Sequence, residues 1–484
     1  MKKTILASAS MLALSVAVPA FAQNNSDVVQ TGTGNGAAVA QTGANTSDID
    51  QVGDGNAADV TQGGTANTST VDQQSLGASA TVSQTGDTNT SVVTQRDANA
   101  APAGVSDPTA LVTQAGSMNA STIAQTAGGD ATLLDAAVSQ TGVGNTSGIT
   151  QDAVGAGAAT GDLSAMVTQA DGATSTVDQN VIGNGANSAT AIVNQAGANT
   201  SLITQNLTAA GVNNYTADVL QNGTGNGSTV LQQAQGSNNN TLLADVDQTG
   251  DFNTSTVTQF GSTSTALVDQ SGDRNISIIA SRGFGQRSSV DQSGDDNLSN
   301  IEQGGFSEDA TVVQSGDRNR SFVIQVNSTN RSDAFVNQAG DDNISRITQN
   351  GGSLNIGTVN QSGANSTATI LQTASSWSDE ATINQFGLSD TSTASIIQRG
   401  TGNGSNTSDN SATINQDGAL NSSSVEQLGA DNAATSTQDG STLESTILQN
   451  GDGNTATVTQ GGMLNVSTVT QLGDGNTATV SQNP

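Results

Sequence analysis

Along most of this chain, apolar residues stand singly at alternate positions among hydroxyl and amide side chains. From Asn454 the even positions are Asn454, Ala456, Val458, Gln460 and Gly462, and the odd ones are Thr455, Thr457 and Thr459. Successive side chains of an extended strand point to opposite faces, so one face is small, branched and amide and the other is hydroxyl. Thr and Val favour strands, while Gly-Asp-Gly-Asn at 451–454 favours a tight corner. The predicted unit is strand, turn, strand, turn.

The pattern repeats. Gln falls at 416, 427, 438, 449, 460, 471 and 482, in steps of eleven residues. The unit reads Q-x-G-x-x-N-x-(A/S)-x-(V/I)-x and holds its phase early, at Gln30, Gly32, Asn35, Val39 and Gln41, and centrally, at Gln314, Gly316, Asn319, Val323 and Gln325. Between Gln270 and Gln292, Ser281 stands where the middle Gln is expected, which substitutes one rung.

One strand of this kind buries a single Val or Ile, gaining about 1.5–3 kcal/mol, against about 1–2 kcal/mol of backbone entropy per ordered residue. It folds only by stacking, where each backbone pairs above and below and equivalent Gln and Asn side chains form hydrogen-bonded ladders. The fold class expected is therefore all-β, a β-solenoid of stacked strand-turn-strand repeats with cross-β character. Two eleven-residue units would make one turn; three-sided coils could use the same pattern. Roughly 20 turns at about 4.8 Å give a rod about 100 Å long. In the C-terminal units Val458, Val469 and Val480 are the expected core, and Gly451, Gly462 and Gly473 the expected turns.

Composition qualifies this picture. Hydrophobic residues make up 33% and aromatics 2% of the chain, which without the periodicity would indicate disorder. Residues 1–22 hold Lys2, Lys3, an apolar run from Ile5 to Val18 and Ala20-Phe21-Ala22, the pattern of a secretory signal peptide, leaving residues 23–484 as one solenoid. No stretch reaches the roughly 20 apolar residues of a membrane helix, so membrane insertion is not expected. The net charge is −31, which argues against nucleic-acid partners and predicts self-repulsion that salt or acid relieves. With neither Cys nor His, the chain lacks a disulfide framework and the commonest catalytic and metal-ligating groups. No enzyme activity, cofactor or metal is expected.

Departures from the period are local. The Gln spacing stretches in insertions near 96–113, 152–168, 180–194, 206–220, 233–247 and 399–415, expected as loops bulging from corners; Pro102 and Pro108 both lie in the first. Seven of the nine Arg residues lie between 274 and 346, several beside Asp in corners, as in Asp273-Arg274 and Asp317-Arg318. They read as charge balance and as gatekeepers against premature aggregation, with a dedicated partner-binding patch as the alternative. Trp377, Tyr215, Phe260 and Phe386 do not follow the period and are expected in loops or corners.

The run Gln449, Gly451, Asn454, Ala456, Val458, Gln460 resembles the repeat of curlins, the subunits of curli, functional amyloid fibres of bacterial biofilms. The resemblance covers about residues 28–482. It implies a secreted protein of bacterial cell-surface fibres, polymerising with itself, exported through a curli-type outer-membrane pore with accessory chaperones, and started by a nucleator subunit. It also implies that the internal Gln and Asn positions carry self-assembly: here Gln449, Asn454, Gln460, Asn465, Gln471, Asn476 and Gln482. The chain departs from curlins in having several times more repeats and in entering them almost directly after residue 23, without a Gly-rich pore-targeting stretch.

Two rivals use the same residues differently. Outward rows such as Thr455, Thr457 and Thr459 could serve a soluble secreted adhesin or ice-binding protein. Gly-Asp-x-Asn corners such as 473–476 suggest a calcium β-roll, but that repeat is nine residues long and calcium takes six to eight oxygen ligands.

Overall fold

A computed structural model describes residues 23–97, 107–128, 132–154, 161–182, 187–207, 211–233, 240–328, 331–374, 378–387, 391–400 and 409–483. The expected signal peptide, residues 1–22, lies outside the described residues, as do Pro102 and Trp377. The described chain is all-β: 38 strands, from Asn25–Thr31 to Thr477–Gln482, alternate between two sheets of 19 strands each. Odd-numbered strands stack in the first sheet and even-numbered strands in the second, all parallel. Two strands therefore complete one coil, which decides between the two-sided and three-sided readings.

Register follows the Gln period. In the second sheet Gln416 lies opposite Gln438, Gln460 and Gln482 in turn; in the first, Gln427 lies opposite Gln449 and then Gln471. A one-residue slip would turn every inward side chain to solvent, so the pattern fixes this pairing. The terminal strands pair on one side only: Asn25–Thr31 with Thr46–Val52, and Thr477–Gln482 with Thr455–Met463.

The core is an apolar file between the sheets, from Ile49 to Val469, with a Val or Ile on each strand except Ala433–Ser441, where Ser436 takes that place; beside it stands mostly Ala in the second sheet and mostly Ser in the first. Val458 is wholly buried, Val469 is 6% exposed, and Val480, in the last coil, packs partly buried against the file.

Each window expected as a loop ends in strand. Strands occupy the later part of every expected loop window: Thr109–Ser117, Gly161–Ala170, Asn187–Ala196, Asn213–Asn222, Asn240–Thr249 and Ser411–Asp417. Between 132 and 249 several strands are lengthened, as in Thr132–Val143 paired with Gly161–Ala170, and add ladder pairing. From 127 to 242 they also bury a second apolar cluster, including Leu134, Leu163, Leu207, Tyr215 and Leu242. Residues 98–106, 155–160, 183–186, 208–210, 234–239 and 401–408 lie outside the described residues. Tyr215 is thus a fully buried strand residue, not a loop residue. Phe260, also expected in a loop or corner, lies half-buried on strand Thr254–Ser262, while Phe386 is exposed just beyond strand Glu380–Gln385.

Candidate assembly ladder

The side chains repeated every eleven residues become three kinds of column. In the Gln column, Gln449 Nε2 donates to Gln471 Oε1 at 2.9 Å and to the Ala433 carbonyl at 3.0 Å. Gln460 Nε2 likewise donates to Gln482 Oε1 at 2.8 Å and to the Glu444 carbonyl at 2.9 Å. Ala433 and Gln449 lie in opposite sheets, as do Glu444 and Gln460. Each buried amide thus joins successive coils and also ties one sheet to the other. The cross-sheet bond was not legible in the repeat, because it depends on how corners bring opposite strands together.

The Asn column works through the backbone. Asn432 Oδ1 accepts the Asn454 backbone N–H at 3.0 Å, and Asn454 Oδ1 accepts that of Asn476 at 2.9 Å. Asn432 Nδ2 in turn donates to the Gly451 carbonyl at 2.8 Å, so the side chain fastens the corner of the next coil. Asn465 departs from the expected ladder. Its Nδ2 donates locally to the Gly461 carbonyl at 2.6 Å, because its partner one coil earlier is Leu443, which has no amide.

Corner glycines permit the close approach. Gly451, Gly462 and Gly473 have φ of 128°, 79° and 90°. At Gly429, with φ 120°, a β-carbon would stand 2.2 Å from the Gly451 carbonyl oxygen.

A third column was missed in the sequence. Where Asp stands three residues after a Gln, it accepts a backbone N–H from the previous corner, as in Asp273 N–H to Asp295 Oδ1, Asp295 N–H to Asp317 Oδ1 and Asp317 N–H to Asp341 Oδ1, each at 2.9 Å. The recurring Gly-Asp pair was its signal. Beside it, Arg274 meets Asp296 at 2.8 Å and Arg318 meets Asp342 at 2.8 Å, so opposite charges alternate up the corner. These pairs are half exposed, so solvent screens them and they contribute little to stability.

Two interruptions have distinct chemistry. Ser281 lies between Gln259 and Gln303; Gln259 Nε2 donates instead to the carbonyls of Leu243 and Ser264, and Gln303 Oε1 accepts Ser288 Oγ at 2.6 Å. Glu308 fills an Asn slot with its side chain fully buried. It accepts N–H bonds from Gly304 at 2.9 Å and Gly305 at 3.1 Å and a bond from the Ser328 hydroxyl. Burial outweighs those bonds and pushes its carboxyl up to about 7.

Every Gln-to-Gln bond described above donates from an earlier coil to a later one, which leaves the end coils unlike each other. Gln30 and Gln41 in the first coil donate to Gln51 and Gln62, and among the described residues no Gln donates to the Oε1 of either. Gln471 and Gln482 in the last coil donate to the carbonyls of Thr455 and Val466, with a second amide hydrogen left over on each. A family model described as the curlin associated repeat matches residues 242–272, 308–340, 407–440, 429–462 and 451–483. No curated protein matches the chain.

Proposed function

We propose that this curlin-repeat protein is the structural subunit of an extracellular, curli-like amyloid fibre that serves cell adhesion and the biofilm matrix. One observation carries the reading: the two ends of the solenoid are complementary. Amide donors at Gln471 and Gln482 face outward at one end, and amide acceptors at Gln30 and Gln41 at the other. Stacking the first coil of one molecule on the last coil of another continues both Gln columns. It also sets Asn465 and Asn476 against the backbone N–H groups beginning the next coil, as Asn454 meets Asn476 within the chain. The strand edges gain backbone partners at the same step.

The ladder residues Gln449, Asn454, Gln460, Gln471, Asn476 and Gln482 then act in the fibre as they act within the molecule, and the reading requires no reaction chemistry. Secretion through a curli-type pore with accessory chaperones and a nucleator subunit belongs to the same proposal. The test is to remove denaturant from residues 23–484 and follow thioflavin fluorescence, seeding and fibre diffraction. Seedable growth with a reflection near 4.7 Å is expected. A β-rich monomer that stays unseedable would overturn the proposal and favour a soluble adhesin acting through outward Thr rows.

A further inference from the structure

The outer faces of the two sheets are mostly hydroxyl, amide and acid, but one area of the first sheet combines apolar side chains with arginines. On the first sheet, across strands Ile276–Phe284, Leu298–Gly304, Arg320–Val326 and Ile344–Asn350, the outward positions include Ile276, Ile278, Phe322 and Ile344 together with Arg282, Arg320 and Arg346. Ile276, Ile278 and Ile344 are 40%, 37% and 38% exposed. The Arg346 guanidinium lies over the Phe322 ring, 5.1 Å from its centroid. The same face near the C-terminal end carries Ser422, Ser424 and Glu426 instead.

The second sheet bears the counterpart. Asp218 lies opposite Asp245 on adjacent strands, and Asp247, Asp269 and Asp291 stack opposite one another on three. No ion pair among the described residues reaches any of these five carboxylates. Partial burial, and then the neighbouring acids, push Asp218, Asp247 and Asp291 up.

We propose that the apolar, Arg-bearing face of the first sheet is a lateral docking surface for a second copy of this chain, whose Asp218 to Asp291 face seats against it. The charge of the chain argues for this occupant. Copies with a net charge of −31 repel in most orientations, and the face that carries Arg282, Arg320 and Arg346 offers the attractive approach. The apolar side chains beneath the arginines add burial that charge alone would not supply. The contact runs across the stack and does not depend on whether the ends polymerise.

The experiment compares the full chain with two charge-reversed variants, Arg282→Glu/Arg320→Glu/Arg346→Glu and Asp245→Arg/Asp269→Arg/Asp291→Arg. All six side chains point outward, and circular dichroism checks that each variant keeps its sheets. Sedimentation of unpolymerised protein, and electron microscopy of any fibres, are made at about 20 mM and about 1 M salt, where the screening length falls from tens of ångströms to about 3 Å. Side-by-side pairing of the wild type at low salt, dispersed at high salt, is expected. Each variant alone should lose pairing at least tenfold, and an equimolar mixture of the two should recover it. Ile276→Ser/Ile278→Ser, with the charges intact, should also weaken pairing. A wild type that stays unpaired at low salt, or variants that pair as the wild type does, overturns the proposal. Unpaired wild type that binds soluble polygalacturonate through the same arginines would also overturn it, replacing the second copy with an anionic glycan.

Discussion

Replacing Gln449 by Ala should unfasten the C-terminal end of the solenoid while leaving its middle intact. Gln449 is fully buried; it accepts from Gln427 Nε2 at 2.9 Å and donates to Gln471 Oε1 and the Ala433 carbonyl. Truncation strands those three partners without water, at about 1–3 kcal/mol for each polar group that finds no substitute. It also removes packing volume. Allowing for partial relaxation, a loss of about 3–6 kcal/mol is expected. Because coils contact chiefly their neighbours, the loss is felt beyond the break rather than shared along the rod. Hydrogen exchange followed by mass spectrometry should show Val466–Leu472 and Thr477–Gln482 losing at least about a hundredfold in protection, since each 1.4 kcal/mol is about tenfold, with Ile344–Asn350 unchanged. The control, Thr459→Ala, removes an exposed outward hydroxyl and should alter protection by less than about threefold. Equal protection in the two variants, or loss spread evenly along the chain, would refute the ladder as the source of stability.

Two further outcomes follow from the geometry. The Glu308 carboxyl lies near 7 in the fold and near 4.5 when unfolded, so the folded state holds its proton more tightly. Its contribution is fully present below about pH 4.5 and is lost as pH rises through 7, about 3 kcal/mol in all. Exchange protection of Asp309–Ser315 at pH 5 and 8 should therefore differ in the wild type and much less in Glu308→Gln; equal pH dependence in both would dismiss the buried acid as the cause. Gly429→Ala should lower the thermal midpoint by several degrees, combining backbone strain with a clash on the Gly451 carbonyl. Gly473→Ala, where no atom stands within 4 Å of the added carbon, should lower it less, and the reverse order would contradict the corner geometry.

The periodic part of the molecule was legible because its determinants are local. The Gln spacing sets which residues lie opposite one another, and Val458 and Gln460 point inward simply because they share a strand face. What escaped the sequence depends on partners far away in the chain. Tyr215 looked aperiodic, yet it follows Ala189 and precedes Leu242 in one inward column, with Asn187, Asn213 and Asn240 making an Asn ladder two residues upstream. Asn465 matched the motif but gained no rung, since the residue below it is Leu443. The corner Asp column was visible as a repeated letter without a visible role, because its acceptor bond goes to a backbone amide one coil earlier.

The single direction of the Gln bonds has a consequence for symmetry. Two copies brought together end to end about a two-fold axis would set amide acceptor against acceptor, or donor against donor, so a closed dimer of ends gains no ladder bonds. The favourable contact is heterologous, first coil on last coil, and stacking advances along the rod without turning back on itself. Such a contact does not close into a ring, and it leaves one unsatisfied end of each kind after every addition. In the proposed fibre, assembly size would therefore be limited by the supply of subunits or by a capping molecule, not by the shape of the subunit.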